Sequence, residues 1–247
     1  MDTTDCISNE AMQQPKTIQS INTKAIIVGM VLLFITLQIG FHPFYIQYFP
    51  TFEKFTWLHH IHGALMASWI FFLVIQPVLI HKKRFAAHRF IGKFSYITAP
   101  LMVVSMFLML KYSYHKNLPN SSIEKEVAGQ ASTIMQLLSF IGLYALAIIY
   151  RKNTFYHVRF MIGTALLMIT PTLGRIFYGY FAAEIMYEMY LTLLISSYLW
   201  VIDIKKKWDW KPNAIVAGIL FSFVSVYHAR NTDVWQAVGR FWAEVFY

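Results

Sequence analysis

An uncharged segment in the first third of the chain limits its fold more than any other feature. Residues 63–80 contain no charged side chain. As an α-helix, this segment covers about 27 Å, most of the hydrocarbon core of a bilayer. The segment is therefore predicted to cross a membrane.

The composition extends this prediction to the rest of the chain. The 247 residues are 57% hydrophobic and only 13% charged, which is typical of a polytopic helical membrane protein. The net charge of +9 is expected in the loops that orient such a protein, and it does not indicate nucleic-acid binding. Cys6 is the sole cysteine, so an intrachain disulfide, a Cys-rich metal site and an iron–sulfur cluster are excluded.

We predict an all-α integral membrane protein with about seven transmembrane helices. The predicted spans cover roughly residues 25–49, 57–80, 90–110, 131–150, 156–177, 182–202 and 213–228. Lys and Arg are twice as frequent on the side of the N-terminus, which predicts the N-terminus inside and the C-terminus outside. This pattern, with a leader that has no signal-peptide core, favours the inner membrane of a bacterium.

Three regions follow from this topology. Residues 1–24 form a polar cytoplasmic leader, and residues 25–230 form a single transmembrane helical domain whose core spans are 57–178. Residues 231–247 are aromatic and amphipathic, which predicts a tail that lies in the membrane interface.

The second predicted span carries a stripe of polar side chains. On a helix with 3.6 residues per turn, His62, Trp69 and Gln76 fall close to one line. A buried polar group in lipid costs several kcal/mol unless it has a partner. The stripe is therefore predicted to face the bundle interior, a pocket or a cofactor.

Histidines near the predicted outer ends of the spans suggest a metal site. His59 and His62 share a helix face at i, i+3, a spacing compatible with two ligands on one metal. His42 and His228 are predicted in the same leaflet, and together these four residues define an alternative outer site for zinc. The competing interpretation is that each histidine only hydrogen-bonds headgroups, water or backbone.

The fifth predicted span carries His157 and Arg175, which are five helical turns apart and point the same way. Arg175, near the outer boundary, is a candidate for binding a haem propionate, a phosphate or a carboxylate. The alternatives are snorkelling to the interface, or a salt bridge to Glu184 or Glu188.

The chain resembles a group of uncharacterised bacterial membrane proteins in which three short elements lie at helix ends in a fixed order. Here these elements are HG at 62–63, HR-x-x-G at 88–92 and H-x-R-x-M at 157–161, followed by Arg175. The resemblance covers about residues 57–178. It supports the fold and the position of the site, but that group is a domain of unknown function and implies no activity.

A second resemblance is to the cytochrome b561-type four-helix core, in which paired histidines on alternate helices hold a haem b near each leaflet. It implies that His88 and His157 form the inner pair and that His62 belongs to the outer site. The fourth predicted span should complete the outer pair, but it has no histidine and its one sizeable polar side chain is Gln136. One haem, an altered outer site that uses His42 or His228, or no haem therefore all stay open.

Three hypotheses for function follow. The first is a haem-b-binding redox or electron-transfer protein, with His62, His88 and His157 as candidate iron ligands and a quinone or a membrane protein as redox partner. The second is a membrane hydrolase with a His-bound zinc, for which Glu184 and Glu188 are the carboxylates at membrane level. The third is a non-enzymatic subunit or small-molecule binder, whose histidines and Arg175 tie helices together or line a pocket.

Overall fold

The computed structural model describes residues 21–182 and 186–247, and nearly all of them belong to helices. The α-helices of this part of the chain are α1 (Thr23–Phe41), α2 (Trp57–His81), α3 (Phe85–Gly92), α4 (Ser95–Asn117), α5 (Ile123–Ile149), α6 (Thr154–Phe181), α7 (Tyr187–Lys205), α8 (Lys211–Ala229) and α9 (Asp233–Phe246). Short 3₁₀ turns lie at Ile46–Tyr48 and Leu118–Asn120. The all-α fold is thus confirmed for the described residues, whereas most of the predicted leader lies outside them.

Six helical segments in the described ranges are long and apolar enough to cross a membrane. They are α1, α2, the nearly continuous segment from α3 through α4, α5, α6 and α8. Large apolar side chains such as Leu32, Phe71 and Phe221 point away from the protein on these helices. These surfaces suit a lipid bilayer.

Short connections place consecutive long helices side by side and antiparallel. We call the end of the bundle at which α1 begins the proximal end, and the end at which α1 finishes the distal end. The turns before α3, α6 and α8 lie at the proximal end. The connections before α2, α5 and α7, together with α9, lie at the distal end.

Several helix boundaries differ from the sequence prediction, two of them by eight residues. The first helix ends at Phe41, and a 3₁₀ turn rather than helix occupies part of the predicted span beyond it. The fourth long helix begins at Ile123, eight residues before the predicted span, because the Ser122 side chain caps it by accepting the Lys125 N–H. A charged first turn at the membrane surface extends this helix where apolar patterning alone predicts a loop.

The stripe on α2 faces protein along its whole length. The indole of Trp69 is fully buried and packs edge-on against Phe140 and Tyr144 of α5, with ring centroids 5.1 and 5.4 Å away. His62 contacts α4, and Gln76 contacts α3. The three side chains therefore attach α2 to three different helices.

A buried ion pair fastens α6, α7 and α8 at the proximal end. The Arg159 guanidinium donates to both carboxylate oxygens of Asp203, at 2.8 and 2.6 Å. Asn213 of α8 donates to the same carboxylate at 2.8 Å, and the Arg159 guanidinium lies 3.2 Å from the ring centroid of Phe155. Each charge thus has a partner within the protein, as a buried ion pair requires.

The C-terminal helix α9 packs on the distal end of α5. Trp235 Nε1 donates to the Val127 carbonyl at 3.2 Å, and the Tyr247 hydroxyl donates to Gln130 Oε1 at 2.5 Å. Burial raises the pKa of Tyr247 to about 12, so its phenol keeps the proton that this bond uses. The outward side of α9 is an exposed apolar stripe of Val234, Val238, Phe241 and Val245.

Candidate functional site

A pocket of about 360 Å³ lies in the distal half of the bundle, where α5, α6, α7 and α8 meet. Its polar side chains are Ser132, Thr133, Gln136, Thr170, Arg175 and Glu188. Its apolar wall includes Phe44, Tyr178, Met186 and Phe223. We call this site the Arg175 pocket. A mostly apolar cavity with a few convergent polar groups is the usual form of a small-molecule site.

Arg175 is held by its own helix and by α1. Its Nη1 donates to the Pro171 carbonyl at 2.8 Å. Pro171 has no N–H to donate to the Leu167 carbonyl, and that carbonyl instead accepts from the Gln136 side chain. The guanidinium lies 4.2 Å from the ring centroid of Phe41. These contacts use only part of its five N–H donors.

Glu188 reaches the pocket from the first turn of α7, and only 2% of its surface is exposed. Its Oε2 atom has no hydrogen-bond partner in the part of the chain that the structure describes. Its Oε1 atom lies against α6 at Gly174, where a Cβ atom would come within 2.9 Å of it. Because Gly174 has no side chain, there is space at this position for the Glu188 carboxylate.

The two charges of the pocket do not form a salt bridge. Within residues 21–182 and 186–247, the ion pairs with nitrogen–oxygen distances up to 4.0 Å are Arg159–Asp203 and Arg240–Glu124. The predicted bridge from Arg175 to Glu188 is thus absent, and Glu184 lies outside the described residues. Both groups line one cavity without neutralising each other directly.

Two further pocket residues leave hydrogen-bonding capacity unused. Thr170 is 4% exposed, and its hydroxyl has no partner among the described residues. The Gln136 amide nitrogen donates to the Leu167 carbonyl at 2.9 Å, which aims the side chain across the α5–α6 contact. Buried polar groups in proteins nearly always have partners, and Thr170 and Glu188, which both line this cavity, are exceptions among the described residues.

His62 lies in the same half of the bundle, and its Nδ1 atom is 3.1 Å from Ser105 Oγ on α4. The Ser105 hydroxyl already donates to the Met102 carbonyl at 2.8 Å. Its oxygen therefore accepts from His62, and the imidazole carries its proton on Nδ1. The lone pair is then on Nε2, as in a histidine that ligates a metal.

His157 has the same arrangement at the proximal end of α6. Its Nδ1 atom is 2.8 Å from the Ala147 carbonyl of α5. A carbonyl only accepts hydrogen bonds, so the proton is on Nδ1 and the lone pair is again on Nε2. The structure thus holds His62 and His157 in the same tautomer, in opposite halves of the bundle.

His88 is held in the opposite tautomer. The Gln76 amide bridges α2 and α3: its oxygen accepts the Gly92 N–H at 3.1 Å, and its nitrogen donates to the His88 carbonyl and to His88 Nδ1. This orientation leaves the proton of His88 on Nε2. His88 and His157 both lie at the proximal end of the bundle, near the starts of α3 and α6, with their protons on different ring nitrogens.

The structure does not bring the predicted outer zinc ligands together. His59 caps α2 through Thr56 Oγ1, at 2.9 Å, and His228 Nε2 is 2.6 Å from the Tyr190 hydroxyl. Among the described residues, no group of three or more His, Cys, Asp or Glu side chains could hold a metal ion. His42, the fourth predicted ligand, therefore belongs to no such group. The histidines at this end act as helix caps and as links between helices.

Comparisons with known proteins give no relative. No family model matches the chain, and no curated protein and no solved structure matches it. Function is therefore inferred from the geometry of this chain's own residues.

Proposed function

We propose that this chain is a multi-pass membrane protein that binds a small polar molecule in the Arg175 pocket. The observation that carries the proposal is that Arg175 and Glu188 line one cavity in the bundle without forming a salt bridge. This function is the small-molecule binder among the three sequence-based hypotheses.

The energetic argument is the cost of unpaired charge. Removing a charged group from water costs several kcal/mol even after relaxation, and close pairing normally offsets that cost. The proximal pair Arg159–Asp203 follows this rule, with oxygen–nitrogen distances of 2.6 and 2.8 Å. The distal pair does not, although both groups line the same cavity. A bound molecule that contacts both groups supplies the missing partners.

The shape of the pocket supports entry from the distal end. The pocket is open rather than closed, and the side chain of Tyr178 in its wall is 66% exposed. A polar molecule therefore has a path to Arg175 that avoids the tightly packed core around Trp69. Ionisable residues inside a membrane bundle are commonly part of such substrate paths.

The test is native mass spectrometry of the full chain, released from mild detergent. We expect a small-molecule adduct on the natural protein that is lost from Arg175→Gln and from Glu188→Gln. Arg230→Gln is the matched control, because Arg230 also donates to a carbonyl of its own helix (Tyr227 O, 2.5 Å) and lies over an aromatic ring.

Two results would overturn the proposal: no adduct on the natural protein either in detergent or in nanodiscs, or an adduct that survives in both pocket variants. If the charge variants fail to fold, Thr170→Val tests the same pocket, because it removes an unpartnered hydroxyl with little change in volume.

The tautomers of His62 and His157 favour a second candidate, the binding of haem b. A haem supplies one-electron transfer to partners such as quinones, and each of these residues has the N–H···O bond that iron-ligating histidines make. His88 does not fit as the second inner ligand in this arrangement, because its Nε2 atom carries the proton. We therefore propose His157 and His62 as candidate ligands of separate haem sites, one in each half of the bundle, with Arg175 available for a propionate in the distal one.

An absorption spectrum of the purified protein before and after dithionite tests this candidate. A Soret band that shifts on reduction and is lost from His157→Ala or His62→Ala would support it. A colourless preparation from haem-replete cells would rule it out. His228→Ala is the control, since the Tyr190 hydroxyl is hydrogen-bonded to the Nε2 atom of that imidazole.

We also propose that α7 is a seventh span, with the N-terminus inside and the C-terminus outside. The two acidic residues of α7 face protein: Glu188 and Asp203 are 2% and 1% exposed. Its exposed residues include Leu191, Leu194 and Val201, which suit lipid. In a Cys6→Ser background, single cysteines at positions 152 and 207 would both react with an impermeant reagent only from the cytoplasmic side. Labelling of the two positions from opposite sides would contradict seven spans.

A further inference from the structure

The unpaired polar atoms of the Arg175 pocket fall into two chemical sets. One is the Arg175 guanidinium, which can only donate hydrogen bonds. The other consists of oxygens that can accept hydrogen bonds: Glu188 Oε2 and the Thr170 hydroxyl oxygen, neither of which has a hydrogen-bond partner in the described ranges. A ligand that satisfies the pocket must therefore present acceptors to one set and donors to the other.

The net charge of the pocket further restricts the class of ligand that can bind. The charges of Arg175 and Glu188 sum to zero when both groups are ionised, so a ligand with a net charge would leave one of them uncompensated in a buried site. A simple anion would bind Arg175 and leave Glu188 unpaired, and a simple cation would do the reverse. A zwitterion neutralises both.

The acceptor set also restricts the type of cation. Both of its oxygens can accept from the N–H donors of a primary ammonium group. A quaternary ammonium has no N–H donor, so it would leave Glu188 Oε2 and the Thr170 hydroxyl without partners. Leaving a buried polar group unsatisfied is strongly unfavourable. The pocket is therefore built for an ammonium that donates hydrogen bonds.

We infer that the Arg175 pocket binds a zwitterion with a primary ammonium group and an oxyanion, a carboxylate or a phosphate. The ammonium binds Glu188 and Thr170, the oxyanion binds Arg175, and the carbon skeleton packs on Phe44 and Phe223. A free apolar amino acid and the headgroup of a phosphoethanolamine lipid both have this chemistry. The inference rests on the proposed function and adds the class of ligand.

The experiment measures thermal unfolding of the full chain in nanodiscs made of phosphatidylcholine alone. The soluble probes are phosphoethanolamine as its net-neutral glycerol phosphodiester, a mixture of apolar amino acids, phosphocholine as the same kind of diester, and inorganic phosphate. We expect one of the first two to raise Tm. Phosphocholine and inorganic phosphate should need at least about tenfold higher concentration, because each lacks the N–H donors.

A parallel sample in nanodiscs that contain phosphatidylethanolamine identifies the source. A rise in Tm in those nanodiscs without any soluble probe assigns the site to a lipid headgroup, and a rise with a soluble probe assigns it to a free zwitterion. Either outcome supports the inference. In both cases Glu188→Gln and Thr170→Val should remove the preference over phosphocholine, whereas Glu244→Gln, at an exposed acid of the same end, should keep it.

The inference is overturned if phosphocholine or inorganic phosphate stabilises the protein as well as phosphoethanolamine does. It is also overturned if Glu188→Gln retains the ammonium preference. In those cases an adduct that depends on Arg175 would leave the proposed binding function intact. Loss of both the adduct and all stabilisation would instead remove the proposed function itself.

Discussion

Gly174 of α6 and Glu188 of α7 fit together directly: the carboxylate occupies the space that a side chain at position 174 would fill. A Cβ atom there would lie 2.9 Å from Oε1 and 3.3 Å from Cδ of Glu188, closer than packed atoms tolerate. The position of the Glu188 carboxylate in the Arg175 pocket thus depends on Gly174, although Gly174 has no side chain that could contact a ligand.

Gly174→Ala is therefore expected to displace the Glu188 carboxylate and to abolish the ligand-dependent rise in Tm. Because the added methyl group meets only the far end of the flexible Glu188 side chain, that side chain can move aside, and the change in stability should stay within about 1 kcal/mol. Gly142→Ala is the control, because a Cβ atom at position 142 meets nothing within 4 Å. That change should leave stability equal or raise it by up to about 1 kcal/mol. Equal effects of the two variants on ligand response would contradict this account.

Asp203→Ala is expected to destabilise the protein by about 3–5 kcal/mol, because it leaves the Arg159 guanidinium buried without its partner. The measurement is thermal unfolding in detergent. The double variant with Arg159→Met should recover part of the loss, since no buried charge remains. Removing the exposed distal pair with Glu124→Gln should change stability little, because both of its members are solvent-accessible. A larger loss of stability from Glu124→Gln than from Asp203→Ala would contradict this interpretation.

Trp69→Ala is expected to cost about 3–5 kcal/mol, the usual range for truncating a fully buried aromatic residue. The indole packs on Phe140 and Tyr144, so its loss opens a cavity between α2 and α5. Phe71→Ala is the matched control, since 57% of that side chain is exposed. Comparable losses from the two variants in the same detergent would show that Trp69 is not in the core.

Gly239→Leu is expected to detach α9 from α5, because any side chain at position 239 collides with Val127. The fold of the other helices should persist, since α9 packs on the smaller buried cluster of Met106, Leu110, Ile134 and Leu137 and not on the larger core around Trp69. Limited proteolysis then reports the change as faster cleavage after Arg240. Gly129→Leu, at an α5 position with nothing within 4 Å of its Cβ, should leave cleavage unchanged. If both variants are cleaved like the natural protein, α9 is held by other contacts.

Features that depend on a single helix were predictable from sequence. The 3.6-residue period places His62, Trp69 and Gln76 on one face, and the structure confirms that this face meets protein. The shared direction of His157 and Arg175 has the same origin, because both lie on α6. Periodicity fixes where a side chain points relative to its own helix, and apolar runs fix which segments are helices.

Features that depend on the distance between helices were not predictable. Sequence reasoning treated Glu188 as a salt-bridge partner of Arg175, but whether two groups on adjacent helices meet or stay apart depends on the packing angle and on Gly174. The pocket itself was missed for the same reason. Only two sequence features could have indicated the pocket. Gln136 is the sole sizeable polar side chain in its predicted span, and Thr170 lies one turn before Gly174. The Gln76 contact that sets the tautomer of His88 also required the structure.

The pairing of Asp203 with Arg159 has a consequence for biogenesis. Insertion of α7 alone into a membrane is unfavourable, because the helix carries three charged residues, Glu188, Asp203 and Lys205. Arg159 is already in place on the preceding helix when α7 leaves the ribosome, and Asn213 follows on the next helix to donate to the same carboxylate. If α7 is a seventh span, as we propose, the proximal ion pair gives its buried carboxylate a partner inside the bundle, so loss of Arg159 should lower the fraction of chains in which α7 is inserted.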